Sequence, residues 1–142
     1  MTTLVTDTGF GADNWTEPFI TLEAANDASA LDVPSDTDPA QIPLCEGLRM
    51  IRVDFPSSAD GRGFTIAKQL RLRGFTGRLR AKGHVLADQY AMARRAGFDE
   101  VEISDELAAR QPEDQWLFRA NWQQHNYQAR LGGSGAPEAR RG

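Results

Sequence analysis

The chain holds a single cysteine, Cys45, in 142 residues. One thiol cannot close an intrachain disulfide, form a CxxC redox pair, or hold an iron–sulfur cluster or a structural zinc. Cys45 reads as a small apolar residue in or near a loop rather than as a reactive thiol. Redox chemistry would therefore need a bound cofactor or a partner. Histidine is almost as scarce. His84 and His125 stand 41 residues apart with no metal-ligand spacing around them, so no metal is assigned. No apolar run is long enough to span a bilayer, and residues 1–7 lack the basic and apolar regions of a signal peptide. The expectation is a cytoplasmic protein with no membrane partner.

Charge of one sign is missing from two long stretches. Residues 1–48 carry nine acids and neither Lys nor Arg, whereas residues 61–87 carry seven basic side chains and neither Asp nor Glu. Two arrangements answer this asymmetry. Either the acidic segment folds back over the basic one, or the basic segment awaits an anionic ligand or an acidic protein surface. Nucleic acid is the weaker partner, because the chain has a pI of about 5.1 and shows no binding motif.

With 40% hydrophobic and 25% charged residues, the composition fits one soluble domain with one core. Residues 1–47 read as an acidic, loosely structured arm. Pro34, Pro39 and Pro43 exclude a long regular element there, while Trp15, Phe19, Ile20 and Leu22 suit a short strand or hairpin docked on the main body. Residues 48–131 read as an α/β domain, and residues 132–142 as a disordered tail. Leu48–Phe55 is β-branched and apolar and stops at Pro56, which predicts a strand. Phe64–Arg73 places Ile66, Ala67 and Leu70 on one helical face. Arg78–Ala81 predicts a strand, Leu86–Ala96 a second amphipathic helix, and Val101–Ile103 a third strand. Gly74-Phe75 and Gly97-Phe98 end the two helices in the same way, 23 residues apart. That repeat argues for parallel strands joined by right-handed crossovers, in a small sheet of three or four core strands. A last helix is predicted within Glu106–Arg130 with a break near Pro112, and Trp116, Phe118, Trp122 and Tyr127 exceed what one buried stripe needs.

In parallel α/β folds ligands gather at the carboxyl ends of strands, which selects the loops Asp54–Gly63, Lys82–Asp88 and Ser104-Asp105. In the first, Gly61 and Gly63 would let backbone N–H groups approach an anion at a helix start, and Arg62 would add a planar fork. The competing arrangement is a capped helix, with Asp60 on backbone N–H groups and Arg62 paired with an acid. D-G-R-G is neither a P-loop nor a dinucleotide fingerprint. In the second loop, His84 and Asp88 are four residues apart and could face one another for acid–base work. The competing arrangement has Asp88 favouring the helix start and His84 in solvent. Ser57, Ser58 and Ser104 lack a nucleophile-elbow context.

The stretch Ile51–Ile103 also carries a specific combination. It comprises Phe55-Pro56, Asp60-Gly61-Arg62-Gly63-Phe64, Leu70-Arg71, Arg73-Gly74-Phe75, Leu79-Arg80-Ala81, Gly83, Val85-Leu86, Asp88-Gln89 and Gly97-Phe98-Asp99. It resembles a bacterial family of unknown function encoded beside assimilatory sulfite reductase genes, whose members are described as probable oxidoreductases involved in sulfite reduction. Many members carry Asp at the position of His84, which moves weight from His84 to Asp60, Arg62, Arg80, Asp88 and Gln89. No flavin or nicotinamide fingerprint is present, and no cofactor is assigned. The resemblance implies an accessory protein of sulfite reduction that engages the reductase or a small anion through a basic strand-end face. Sulfite, phosphate or the carboxylates of sirohaem would suit such a face. The alternative is a small α/β enzyme for an anionic metabolite, with Arg62 and Arg80 positioning it and Asp60 or Asp88 as general base.

Overall fold

The computed structural model of the chain describes residues 2–22 and 28–120. Within them are strands β1 (Thr2–Thr6), β2 (Gly9–Gly11), β3 (Ile20–Thr21), β4 (Ala30–Val33), β5 (Met50–Phe55), β6 (Arg78–Gly83) and β7 (Glu100–Ser104). The helices are α1 (Arg62–Leu72), α2 (Tyr90–Ala96), α3 (Asp105–Arg110) and α4 (Glu113–Phe118). All seven strands form one sheet in the order β2-β1-β7-β6-β5-β4-β3. Strands β3 to β7 are parallel and each lies beside its predecessor, while β1 runs antiparallel to β7 and to β2.

The sheet is α/β as expected but larger than three or four strands, and the difference comes from residues 1–47. That segment supplies β1 to β4 instead of a loosely structured arm. Its prolines bound the strands rather than preventing them. Pro34 follows β4 directly, and Pro39 opens a 3-10 turn capped by the Asp38 carboxylate. Because the strands advance in one direction, crossovers of one hand leave the helices on one face. That face is apolar. Leu31, Val33, Ile51, Val53, Phe55, Leu79, Ala81, Val101 and Ile103 form one core with Ile66, Ala67 and Leu70 of α1, and with Tyr90 and Ala93 of α2. The last helix breaks at Pro112, which caps α4, and Trp116 is fully buried edge-to-face with Tyr90, 6.1 Å away. Phe118 is exposed. Trp122, Tyr127 and the tail expected to be disordered lie outside the described residues.

The repeat at Gly74 and Gly97 is a pair of matching helix ends. Gly74 (φ 98°) and Gly97 (φ 118°) are both left-handed. Phe75 N–H donates to Leu70 O and Phe98 N–H to Ala93 O, each at 3.0 Å, and the glycine N–H groups reach Arg71 O and Arg94 O. This is the double hydrogen bond of a Schellman cap. The correspondence extends to Arg71 and Arg94, which donate to the carbonyls of Phe75 and Phe98. Arg71 also reaches Gly77 O at 2.7 Å and Gly97 O at 2.9 Å, tying the two crossovers together.

A methyl group at Gly74 would meet open space, whereas one at Gly97 would lie 2.7 Å from Arg71 Cγ. Gly74→Ala should therefore cost about 1–2 kcal/mol, the penalty of the left-handed backbone. Gly97→Ala should cost more, because it also displaces Arg71. Urea denaturation midpoints would show the order, and equal losses would refute the tie.

Candidate functional site

The opposite face of the sheet is charged. Alternation places Asp32, Arg52, Arg80 and Glu100 in one cross-strand row, and Asp54, Lys82 and Glu102 in the next. Arg80 is completely buried. Its Nε donates to Glu100 at 2.7 Å, its Nη1 to Glu102 at 2.9 Å, and both terminal nitrogens reach Asp13, at 2.9 and 3.0 Å. Arg52 makes a two-point pair with Asp32, at 2.6 and 2.7 Å, and reaches Glu102 at 3.1 Å. Arg78 reaches Glu100 at 2.7 Å. Burial works against the charge on Arg80, but hydrogen bonds to Asp13 and Glu100 outweigh it and hold the guanidinium more firmly protonated than usual. The same bond to Arg80 holds the Asp13 carboxyl below the ordinary range.

Residues 12–19, between β2 and β3, form a strap over this face. Besides Asp13 on Arg80, Phe19 lies 3.7 Å from the Arg52 guanidinium, and Trp15 is 5.4 and 5.5 Å from those of Arg49 and Arg78. The acidic segment does fold back onto the body, although of the following pairs only Asp13–Arg80 engages the basic stretch 61–87. Asp7 pairs with Arg94, Asp13 with Arg80 and Asp32 with Arg52.

These contacts decide what several expected site residues do. Arg80 was expected at a strand end, but it lies mid-strand under the strap, where its side chain is used up by three carboxylates. Arg62 is exposed, but its Nε and Nη2 close on Asp60 at 2.9 and 2.7 Å. Asp60 also accepts from Arg62 N–H and Ser35 Oγ, both at 3.1 Å. The Arg62 hydrogen bonds drive the Asp60 carboxyl far below its usual range, which makes it a poor general base. Gly63 serves packing, since a Cβ there would lie 2.4 Å from the Phe55 ring, while Gly61 faces nearly open space. Asp88 pairs with Arg119 at 2.9 Å. His84 is exposed, with Nδ1 3.3 Å from Phe55 O, and makes no pair with Asp88. Gln89 joins two loops, accepting from Leu86 N–H and donating to Ser58 O, each at 2.9 Å. Ser104 caps α3 by accepting from Leu107 N–H at 3.1 Å. The expected basic strand-end face is thereby reduced to other residues.

What the strand ends do build is a cleft of about 260 Å³ on the charged face. It is lined by Leu22 after β3, Asp32, Val33 and Pro34 at the end of β4, Asp54 of β5 and Lys82 of β6. Lys82 lies in register between Asp54 and Glu102. Glu102 is turned to Arg52 and Arg80, and Asp32 is closed on Arg52. Among the described residues the side chains of Lys82 and Asp54 make neither hydrogen bonds nor ion pairs. Sequence reading marked both only as the ends of loops. The signal that could have found them is their alternation with Val53 and Ala81, which points them away from the core. Among the described residues no cluster of three or more His, Cys, Asp or Glu is placed to hold a metal, and no helix is long and apolar enough to cross a membrane.

Residues 30–135 match the model of a bacterial protein family of unknown function, DUF934. The chain belongs to this family. No curated protein and no solved structure matches it. The DUF934 match begins at the first residue of β4 and takes in β5, β6 and β7, hence Asp54, Lys82, Arg52 and the buried Arg80. The strap lies outside it.

If Gly63 exists for packing rather than for ligand approach, Gly63→Ala should destabilise the fold by about 1–3 kcal/mol, as overpacking does. Gly61→Ala should stay within about 0.5 kcal/mol, as substitutions away from packed features do. Chemical denaturation measures both, and an unchanged Gly63→Ala midpoint would contradict the packing role.

Proposed function

We propose that this chain is an accessory protein of assimilatory sulfite reduction that works by holding a small charged ligand in its strand-end cleft. The pathway rests on the resemblance of residues 51–103 to a family encoded beside sulfite reductase genes. The place of action rests on one observation. Lys82 is the cation of the basic segment that reaches the cleft wall, flanked by two acids and bonded to neither. An ammonium unpaired among the described residues, at the carboxyl ends of parallel strands, is suited to an anionic group of a ligand. The reductase itself is the partner to which such a ligand would be delivered, or whose output it would report.

The family's oxidoreductase description is not carried over. The chain supplies no thiolate set for the multi-electron chemistry of sulfite reduction, so its part in that chemistry is accessory. The enzyme alternative loses its general bases. Asp60 is held ionised by Arg62, and Asp88 stands at the surface with Arg119.

Deletion of the gene should abolish growth on sulfate or sulfite as sole sulfur source and leave growth on sulfide or cysteine normal. A copy carrying Lys82→Ala should fail to restore growth although the protein accumulates folded. Normal growth of the deletion strain on sulfate would overturn the link to sulfite reduction. Full rescue by Lys82→Ala would overturn the cleft as its place of action.

A further inference from the structure

The charges on the cleft wall specify more than an anion. Asp54 and Lys82 are direct cross-strand partners, and adjacent strands stand about 4.8 Å apart. Among the described residues, the two charged groups that neighbour them in the sheet are occupied. Asp32 is bound at two points by Arg52, and Glu102 accepts from Arg52 at 3.1 Å and Arg80 at 2.9 Å. The cleft therefore offers one carboxylate and one ammonium, side by side and unbonded among the described residues. A simple anion would satisfy Lys82 while facing the like charge of Asp54, and a simple cation would meet the reverse conflict. A ligand whose ammonium and carboxylate are borne on one carbon satisfies the two together.

We propose that the cleft binds a small zwitterion of the α-amino acid class. The ligand's carboxylate lies on Lys82 and its ammonium on Asp54. Leu22 and Pro34 supply the apolar part of the lining and receive its side chain. A cleft of about 260 Å³ limits that side chain to a small one, and one-point charge contacts favour recognition of the head group over the side chain. This inference rests on the strand-end cleft being the functional site, and adds to it the class of ligand.

The test is titration calorimetry on the full chain with four small amino acids (L-alanine, L-serine, L-valine and L-cysteine), and with propionate, ethylammonium and sulfite as partial ligands. At least one amino acid should bind, and propionate and ethylammonium should bind about ten-fold or more weakly than L-alanine. Lys82→Ala and Asp54→Asn should each weaken amino acid binding by about ten-fold, the loss of one charge-assisted contact. Circular dichroism would confirm that both variants remain folded. If sulfite or propionate binds through Lys82 while no amino acid binds, or if Asp54→Asn leaves amino acid binding unchanged, the zwitterion is wrong and the cleft stands. If none of the probes binds, the zwitterion and the cleft fall together, whereas the growth phenotype of the deletion strain is judged separately.

Discussion

A guanidinium with no solvent exposure sits in the central part of the sheet, and the rest of the structure is arranged to make that tolerable. Removing a cation from water costs several kcal/mol even after relaxation, so Arg80 must find acceptors for its donors within the fold. It finds Glu100 and Glu102 on β7 and Asp13 on the strap. Glu102 is shared with Arg52, which in turn takes Asp32 on β4. The network thus runs across β4, β5, β6 and β7 and down from the strap, and it joins the acidic first third of the chain to the basic middle. Such networks add little to net stability compared with apolar packing. Slipping one strand by one residue would carry Arg80 into the apolar core and Leu79 to the charged face. Register is therefore fixed from both sides of the sheet.

The two faces divide the labour. Helices cover one face because the strands advance in a single direction, and the burial there supplies the apolar driving force. Among the described residues the other face receives the strap, whose ring contacts with Arg49, Arg52 and Arg78 place aromatic carbon over guanidinium planes. Beyond that cover, at the carboxyl ends of β4 to β6, lie Asp54 and Lys82. They continue the alternation of charge beyond Arg52 and Arg80, so the strand-end cleft lies at the edge of the structural ion layer.

Much of this was legible in the sequence. The 23-residue repeat of Gly-Phe helix ends, the strands after them and the break at Pro112 all follow from local rules, and local hydrogen bonds carry them out. The opposed charge runs allowed a folding back that Asp13 performs on Arg80, whereas Asp7 and Asp32 find arginines outside the basic run. Other features had no local signal. β3 has two residues and β2 three, too short for periodicity to register, and β1 and β4 lie in a segment whose prolines suggested loops. Leu79-Arg80-Ala81-Lys82 reads as a half-exposed strand, and the burial of Arg80 emerges only once Glu100 and Glu102 are paired against it. Asp60-Gly61-Arg62-Gly63 drew attention by composition, yet Arg62 folds onto Asp60 within its own turn. Lys82 and Asp54 become a site only through cross-strand register, which depends on partners far along the chain.

The buried ion layer is tested most directly by urea unfolding of Arg80→Met beside the double variant Arg80→Met/Glu100→Met. The single change takes the guanidinium from Glu100 and Glu102, which keep only Arg78 and Arg52, and should cost about 3–5 kcal/mol, as breaking a buried pair does. The double change removes the buried carboxylate nearest the substitution and should recover part of the loss. If Arg80→Met costs less than about 1 kcal/mol and Glu100→Met merely adds to it, Arg80 is not the residue on which the register and the strap depend.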